Sequence, residues 1–173
     1  MKDIYVKFDG GTELQGESTD TKHVNEIEVS SFNHRIVQPK SSSASTAGGH
    51  SAERTEHGEM YFTKDIDKAT SKLLRASSAG TVYPKVTVTF YRALGGKGST
   101  ALSQSRTDYF KVILEDVLVS SVSMSITEGE LPAETFGLKY GKIVWEYKQQ
   151  KVDGSAATST GPAGWDLRKN VAT

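Results

Sequence analysis

Alternation of apolar and polar residues runs through most of this 173-residue chain. Ile4, Val6 and Phe8 fall on one side of an extended segment. Val86, Val88 and Phe90 do the same in another, with Lys85, Thr87, Thr89 and Tyr91 opposite. Period two marks a half-buried strand, because successive Cβ atoms point to opposite faces. Tyr109 to Leu114 opens a longer extended region that continues through Val117, Leu118 and Val119 to Val122, Met124 and Ile126. Phe136, Leu138 and Tyr140 alternate, the phase slips at Gly141, and Ile143, Trp145 and Tyr147 alternate again. Such a slip predicts a bulge or a barrel corner. The phase also changes between Ile27, Val29 and Phe32, Ile36, which predicts a second bulge near Ser30 and Ser31.

One stretch switches to helical spacing. Between Asp65 and Ala76, the residues Ile66, Ala69, Leu73 and Ala76 share a face. Acidic residues then fall in the first turn, Asp65 or Thr70 serves as the N-cap, Arg75 lies near the end and Gly80 stops the helix. Several strands with one helix predict a mainly β fold: a single domain over residues 1–173, built as a compact β-barrel of two packed sheets with one flanking α-helix. Residues 40–52, 95–105 and 153–164 are rich in Ser, Gly, Ala and Thr and predict long loops. Loops of that length in a compact domain serve binding or assembly.

Composition then removes whole classes of chemistry. There is no cysteine, which excludes a disulfide framework, a thiolate zinc site and a thiol nucleophile. Lys+Arg and Asp+Glu are both 21, so the formal net charge is zero and no general grip on nucleic acid or anionic lipid is expected. No stretch approaches the roughly 18 apolar residues of a membrane helix, so no membrane insertion is expected. The start of the chain alternates in polarity where a signal peptide has an apolar run of about 7–15 residues. His23, His34, His50 and His57 show no i, i+4 pairing and are expected to be surface or hydrogen-bonded residues rather than metal ligands. Gly95-Gly96-Lys97-Gly98-Ser99 lacks the spacing of a phosphate loop and reads as a hairpin connection. No Gly-x-Ser-x-Gly elbow occurs. Glu128, Glu130 and Glu134 surround Gly129 and Pro132, which predicts a solvated turn rather than a catalytic carboxylate pair. The expectation is no enzyme, no metal and no cofactor.

Four stretches, in order along the chain, together resemble the haemolysin-coregulated protein (Hcp) family of the bacterial type VI secretion system. They are Gly16 to His23 with Ile27-Glu28-Val29; Phe62-Thr63-Lys64 with Asp67-Lys68-Ala69-Thr70 and Lys72-Leu73; Leu114 to Val122; and Glu134-Thr135-Phe136 with Trp145-Glu146-Tyr147, Asp153-Gly154 and Gly164 to Leu167. The resemblance implies a β-barrel flanked by one helix, forming homohexameric rings that stack into a hollow tube. It implies as partners further copies of the chain, a spike protein, a contractile sheath and small effector proteins held in the lumen. It also implies manufacture in the bacterial cytoplasm and export without a signal peptide. The family commonly has proline where Ser71 stands, which would make Thr70 the N-cap.

From that resemblance the polar side of the strand around Asn33 and Arg35 is expected to face the lumen and touch cargo. The 40–52 loop, with Ser42, Ser45, Gly48 and Gly49, is expected to reach an adjacent ring. Edge strands with aromatic anchors, Tyr147 and Trp165, are expected to make the lateral joints. The competing class is a stand-alone β-barrel binding module, which would remain a monomer or dimer.

Overall fold

A computed structural model describes residues 3–10, 14–39, 54–93, 106–129, 131–150 and 156–173; for residues 93, 150 and 156–158 the backbone alone is described. The strands are Ile4–Asp9 (β1), Ile27–Val29 (β2), Ser31–Asn33 (β3), Ile36–Val37 (β4), Glu56–His57 (β5) and Met60–Asp65 (β6). Helix Thr70–Ala79 (α1) follows. Then come Val82–Ala93 (β7), Arg106–Ser125 (β8), Ala133–Lys139 (β9), Lys142–Gln150 (β10), Ala156–Ser159 (β11), Ala163–Asp166 (β12) and Val171–Ala172 (β13). Eleven strands form one connected sheet, and β4 and β5 form a separate two-stranded ribbon. Among the described residues the mainly β expectation with one flanking helix is borne out, while the sheet is not closed into a barrel.

The sheet has two layers because its longest strand, β8, passes through both. The first half of β8 pairs with β7 and β10, and its second half pairs with β9. On the other side of the fold, β2 pairs with β1, while β3 pairs with β6. β2 and β3 are one strand interrupted at Ser30, whose N–H donates to the Thr63 carbonyl at 2.8 Å. The predicted irregularity there is a change of partner. At the other predicted slip, Gly141 separates β9 from β10, and both run along the same edge of β8. Asp116, with φ of 52°, stands beside it on β8, and the Gly141 N–H donates to the Glu115 carbonyl at 2.9 Å. Both strands of that ladder therefore bend together, which makes a corner rather than a bulge in one strand. A Cβ on Gly141 would lie 3.3 Å from the Asp116 Cβ, so the bend also needs the missing side chain.

The core fills the space between the layers. Val6, Ile27, Val29, Val86, Val88, Val112, Leu114 and Ile143 come from one layer, and Met60, Phe62, Val119, Phe136 and Leu138 from the other. Ala69, Leu73 and Ala76 from α1 and its approach close one side.

The helix starts later than its spacing predicts. Ile66 is exposed, Asp65 ends β6, and neither Asp65 nor Thr70 is an N-cap. Ala69 holds the cap position with no side-chain cap, and no acidic residue lies in the first turn. The competing demand is visible: Asp67 accepts from the Ala69 N–H at 2.8 Å but also from the Lys64 ammonium at 2.6 Å. Gly80 ends the helix as expected, at φ of 63°, with its N–H turned back to the Ala76 and Ser77 carbonyls.

The loop expectations divide. Residues 40–52 lie among residues outside the described set. β7 and β8 pair as far as Ala93 with Arg106, so the segment containing Gly95 to Ser105 joins a hairpin. The 153–164 loop is corrected: Ala156–Ser159 is β11, paired with β10, and Ala163 and Gly164 begin β12. Backbone pairing on an edge does not require apolar side chains, so a Ser/Ala/Thr/Gly stretch can add strands there.

Glu134 is a second correction. It is not solvated; its side chain and that of Lys64 are both 0% exposed and meet at 2.7 Å. Thr70 Oγ1 donates to the same carboxylate at 3.1 Å and accepts from the Asp67 N–H at 3.1 Å. Lys64 also donates to the Asp65 carbonyl at 2.8 Å. One buried ammonium thus faces a buried carboxylate and a second, slightly exposed one. Removing one partner of such a pair costs about 3–5 kcal/mol, because the other charge is stranded. Lys64→Met is expected to lose stability on that scale in urea unfolding, while Glu134→Gln loses less because Asp67 still faces the ammonium. The double variant Lys64→Met/Glu134→Leu should recover most of the loss; a Lys64→Met protein as stable as the parent would refute this account.

Candidate functional site

Two faces of the β3–β6–β9–β8 layer have opposite chemistry. Register sets them: Phe32 lies opposite Phe62, Phe62 opposite Phe136, and Phe136 opposite Val122, all turned to the core. The next row is Asn33, Tyr61, Gly137 and Ser121, and the row on the other side is Ser31, Thr63, Thr135 and Ser123. These rows point away from the core. Small hydroxyl side chains dominate them, and Thr63 Oγ1 meets Thr135 Oγ1 at 3.1 Å.

Two charges on this face are matched to each other. Lys139 Nζ lies 3.1 Å from Glu59 Oε1. Burial works to raise the Glu59 carboxyl, but hydrogen bonds from Tyr61 and Lys139, with the Lys139 charge, hold it below its ordinary value. The bond Tyr61 gives to that carboxylate, with its charge, raises the Tyr61 phenol in turn. Gly137 makes room for this arrangement: a Cβ there would fall 2.5 Å from Ser121 Oγ and 2.9 Å from Glu59 Oε2. Tyr61 remains 41% exposed, the one large ring on a face of hydroxyls.

Asn33 is exposed at the end of this row, on β3. Arg35 is exposed two residues on, beyond the strand, with its carbonyl accepting the Gly58 N–H at 2.9 Å. The two therefore lie at one margin of the layer. Tyr61, Glu59, Gly137 and Lys139 were missed by sequence reasoning, because they sit on strands distant in the chain. Their available signal was the run of Ser and Thr at alternate positions of β6, β8 and β9.

Tyr147 and Trp165 share one face of the other layer. Trp165 pairs with Ile143, and Ile143, Trp145 and Tyr147 follow one another on the same side of β10. Burial falls along that row, from Ile143 at 0% to Tyr147 at 40% exposed. Trp145 and Trp165 pack against the core, and Tyr147 stands at its edge. Ser42, Ser45, Gly48 and Gly49 lie outside the described residues. A further exposed apolar group, Met124, Ile126 and Leu131, occupies the far end of the β8–β9 ladder, where Ile66 also lies exposed.

The described histidines are hydrogen-bonded, as expected. His23 stacks on Tyr5 at 4.3 Å and contacts Glu26 and Tyr91; His34 and His57 both meet Tyr140. His50 is outside the described set. Among the described residues, no group of three or more His, Cys, Asp or Glu could hold a metal ion, and no helix is long and apolar enough to cross a membrane.

Comparison with known proteins agrees with this architecture. Residues 5–147 match the family model described as "Type VI secretion system effector, Hcp". Protein hcp1 of Pseudomonas aeruginosa is 32% identical over 170 residues, covering 98% of this chain and 97% of that protein. A solved structure described as a type six secretion system protein superposes with a TM-score of 0.84 at 28% identity, over the full length of both chains. Hcp1 from Salmonella typhimurium superposes with a TM-score of 0.69 at 26% identity, over 99% and 98% of the two chains. The four ordered motifs, the two-layered sheet with its single described helix, and the match over residues 5–147 lead to one conclusion: the chain belongs to the Hcp family of the type VI secretion system.

Proposed function

We propose that this protein is the structural subunit of a type VI secretion tube. Six copies form a ring, rings stack into a hollow tube, and the outward face of β3–β6–β9–β8 lines the channel. The observation that carries this reading is the chemistry of that face. It offers hydroxyls and an asparagine, keeps its bulky rings on the core side except for Tyr61, and cancels Glu59 against Lys139. Such a wall can hydrogen-bond protein cargo while exerting little net field on it. The exposed apolar end of the β8–β9 ladder and Tyr147 supply surface suited to a lateral joint, because exposed apolar groups gain by being covered. A head-to-tail contact whose rotation closes gives a ring and leaves two faces free to stack. Spike and sheath proteins and small effectors are the partners that follow, with export by the machine that the tube belongs to. A relative from Pseudomonas aeruginosa, 24% identical over 147 residues, is described as a major exported protein.

Light scattering after size exclusion is expected to give a particle near six times 18.8 kDa. A monomer or dimer would instead favour a stand-alone binding module. Deleting residues 41–51 should leave hexamers intact and abolish tube elongation; tubes of unchanged length in negative-stain images would remove that segment from the stacking contact. Asn33→Arg should lower effector co-purification by roughly tenfold (about 1.4 kcal/mol) without disturbing the ring. Unchanged recovery would move the cargo contact off β3.

A further inference from the structure

Two histidines and a tyrosine join the β4–β5 ribbon to the main sheet. His57 ends β5, His34 lies between β3 and β4, and Tyr140 follows β9. His57 Nδ1 lies 2.8 Å from Tyr140 Oη, and His34 Nε2 lies 2.9 Å from the same oxygen. All three rings are half-buried, with the imidazole centroids 6.4 Å apart and each just under 6 Å from the phenol ring. Neither imidazole has a carboxylate partner in these bonds, whereas His23 faces the Glu26 carboxylate at 2.6 Å.

The proton count of this bridge is decisive. With both imidazoles neutral, one ring donates its N–H to the phenol oxygen, and the phenol donates its O–H to the lone pair of the other. The phenol and both ring nitrogens that face it are then satisfied. When both rings take up protons, two N–H donors converge on one oxygen and the phenol hydrogen loses its acceptor. Two positive charges also face each other across a half-buried gap.

We propose that the His34–Tyr140–His57 bridge is a pH-operated latch. It holds the β4–β5 ribbon against the sheet at neutral pH and releases it in mild acid.

The surroundings agree with that direction. Burial lowers the affinity of His34 for a proton, and the neighbouring His57 lowers it further; burial alone does the same to His57. Burial raises Tyr140, so it stays a phenol throughout. The charged residues nearest along the packed segments are Arg35, Arg54, Glu56, Glu59 and Lys139, with Asp116, Arg168 and Lys142 beyond Gly141; Arg168 pairs with Asp116 and Lys142 with Glu115. Arg35, Arg54 and Glu56 are exposed, Arg54 donates to the Leu167 carbonyl, and Glu59 is engaged by Lys139. Because the folded state binds these protons less readily than the unfolded chain, the latch contributes fully above about pH 6.5 and weakens as pH falls below that value.

Hydrogen exchange on the assembled full chain tests this. Ribbon amides, including Gly58 N–H, should lose at least about tenfold protection between about pH 7.5 and pH 5, after correction for intrinsic exchange, while β1 and β7 stay protected. The double variant His34→Gln/His57→Gln cannot charge and should keep its ribbon protection nearly constant over that range. Unchanged protection in the parent protein, or equal acid opening in the double variant, overturns the latch. Tube length by sedimentation over the same range is a separate readout that rests on the stacking role proposed for residues 40–52. Ribbon opening with unchanged tubes supports the latch and counts against that stacking role.

Discussion

At the end of the β6–β9 ladder a lysine and a glutamate occupy inward positions, where Met60, Phe62, Phe136 and Leu138 occupy the others. Neither charge is stable there alone, so each position requires the other. That requirement has geometric consequences. The pair fixes β6 against β9, since sliding either strand by one residue would put one charge in the core and the other in water. It also recruits Asp67 and Thr70, which ties the entry of α1 to the same point. The late start of the helix follows: Asp67 is held outside it as a counter-ion. Lys68 then extends the connection, its N–H donating to Glu17 at 3.1 Å and its ammonium to Asn25 at 3.0 Å. Two of the four family stretches therefore meet around one buried ammonium, and the neighbouring Lys68 N–H ties a third, through Glu17, to the same connection.

The remaining stretch works on shape. Leu114 to Val122 contains the Asp116 bend, and Arg168, just past Leu167, reaches back to both Asp116 and Glu115. Asp116 adopts a conformation that costs a non-glycine residue roughly 1–2 kcal/mol. The Arg168 contacts and the Gly141 N–H bond hold the segment in it. With Ser30 redirecting β2 into β3 on the other side, a continuous sheet becomes two layers with a core between them. The hydroxyl face exists because of these two bends: they turn all four phenylalanine and valine positions of one row inward, and leave Ser, Thr, Asn and Gly outside.

What could be read in advance follows from this division. Strand faces were legible wherever burial is one-sided, as at Val86, Val88 and Phe90, since period two is then imposed on the residues themselves. The two bends were legible as phase slips. Glu134 was not, because a carboxylate flanked by Gly129 and Pro132 has the local character of a turn, and its partner lies 70 residues away. β11 was also hidden, since an edge strand of small residues buries little. The hydroxyl face needed register across four strands, and register is a property of pairing rather than of any one segment. Asn33 and Arg35 mark its margin, while Tyr61 and Gly137 stand nearer its middle.

Zero net charge takes on a local meaning once the pairs are known. Lys142 faces Glu115, Lys148 faces Asp108, Lys139 faces Glu59, and Arg106 is held by Asp3 and Asp20. Hydrogen bonds from Arg168 hold the Asp166 carboxyl well below the usual carboxylate range, although burial opposes them. Balanced totals could equally have arisen from one basic face and one acidic face, which would favour a single docking direction and make association strongly salt-dependent. Where charges are neutralised by such neighbours, little long-range field remains. In the proposed ring, copies meeting through such surfaces would neither repel nor lock by charge, and their association would rest on shape, apolar contact and backbone pairing. In the proposed tube the burden of assembly would then fall on surfaces such as the exposed end of the β8–β9 ladder, while on the hydroxyl face Glu59 and Lys139 offset one another.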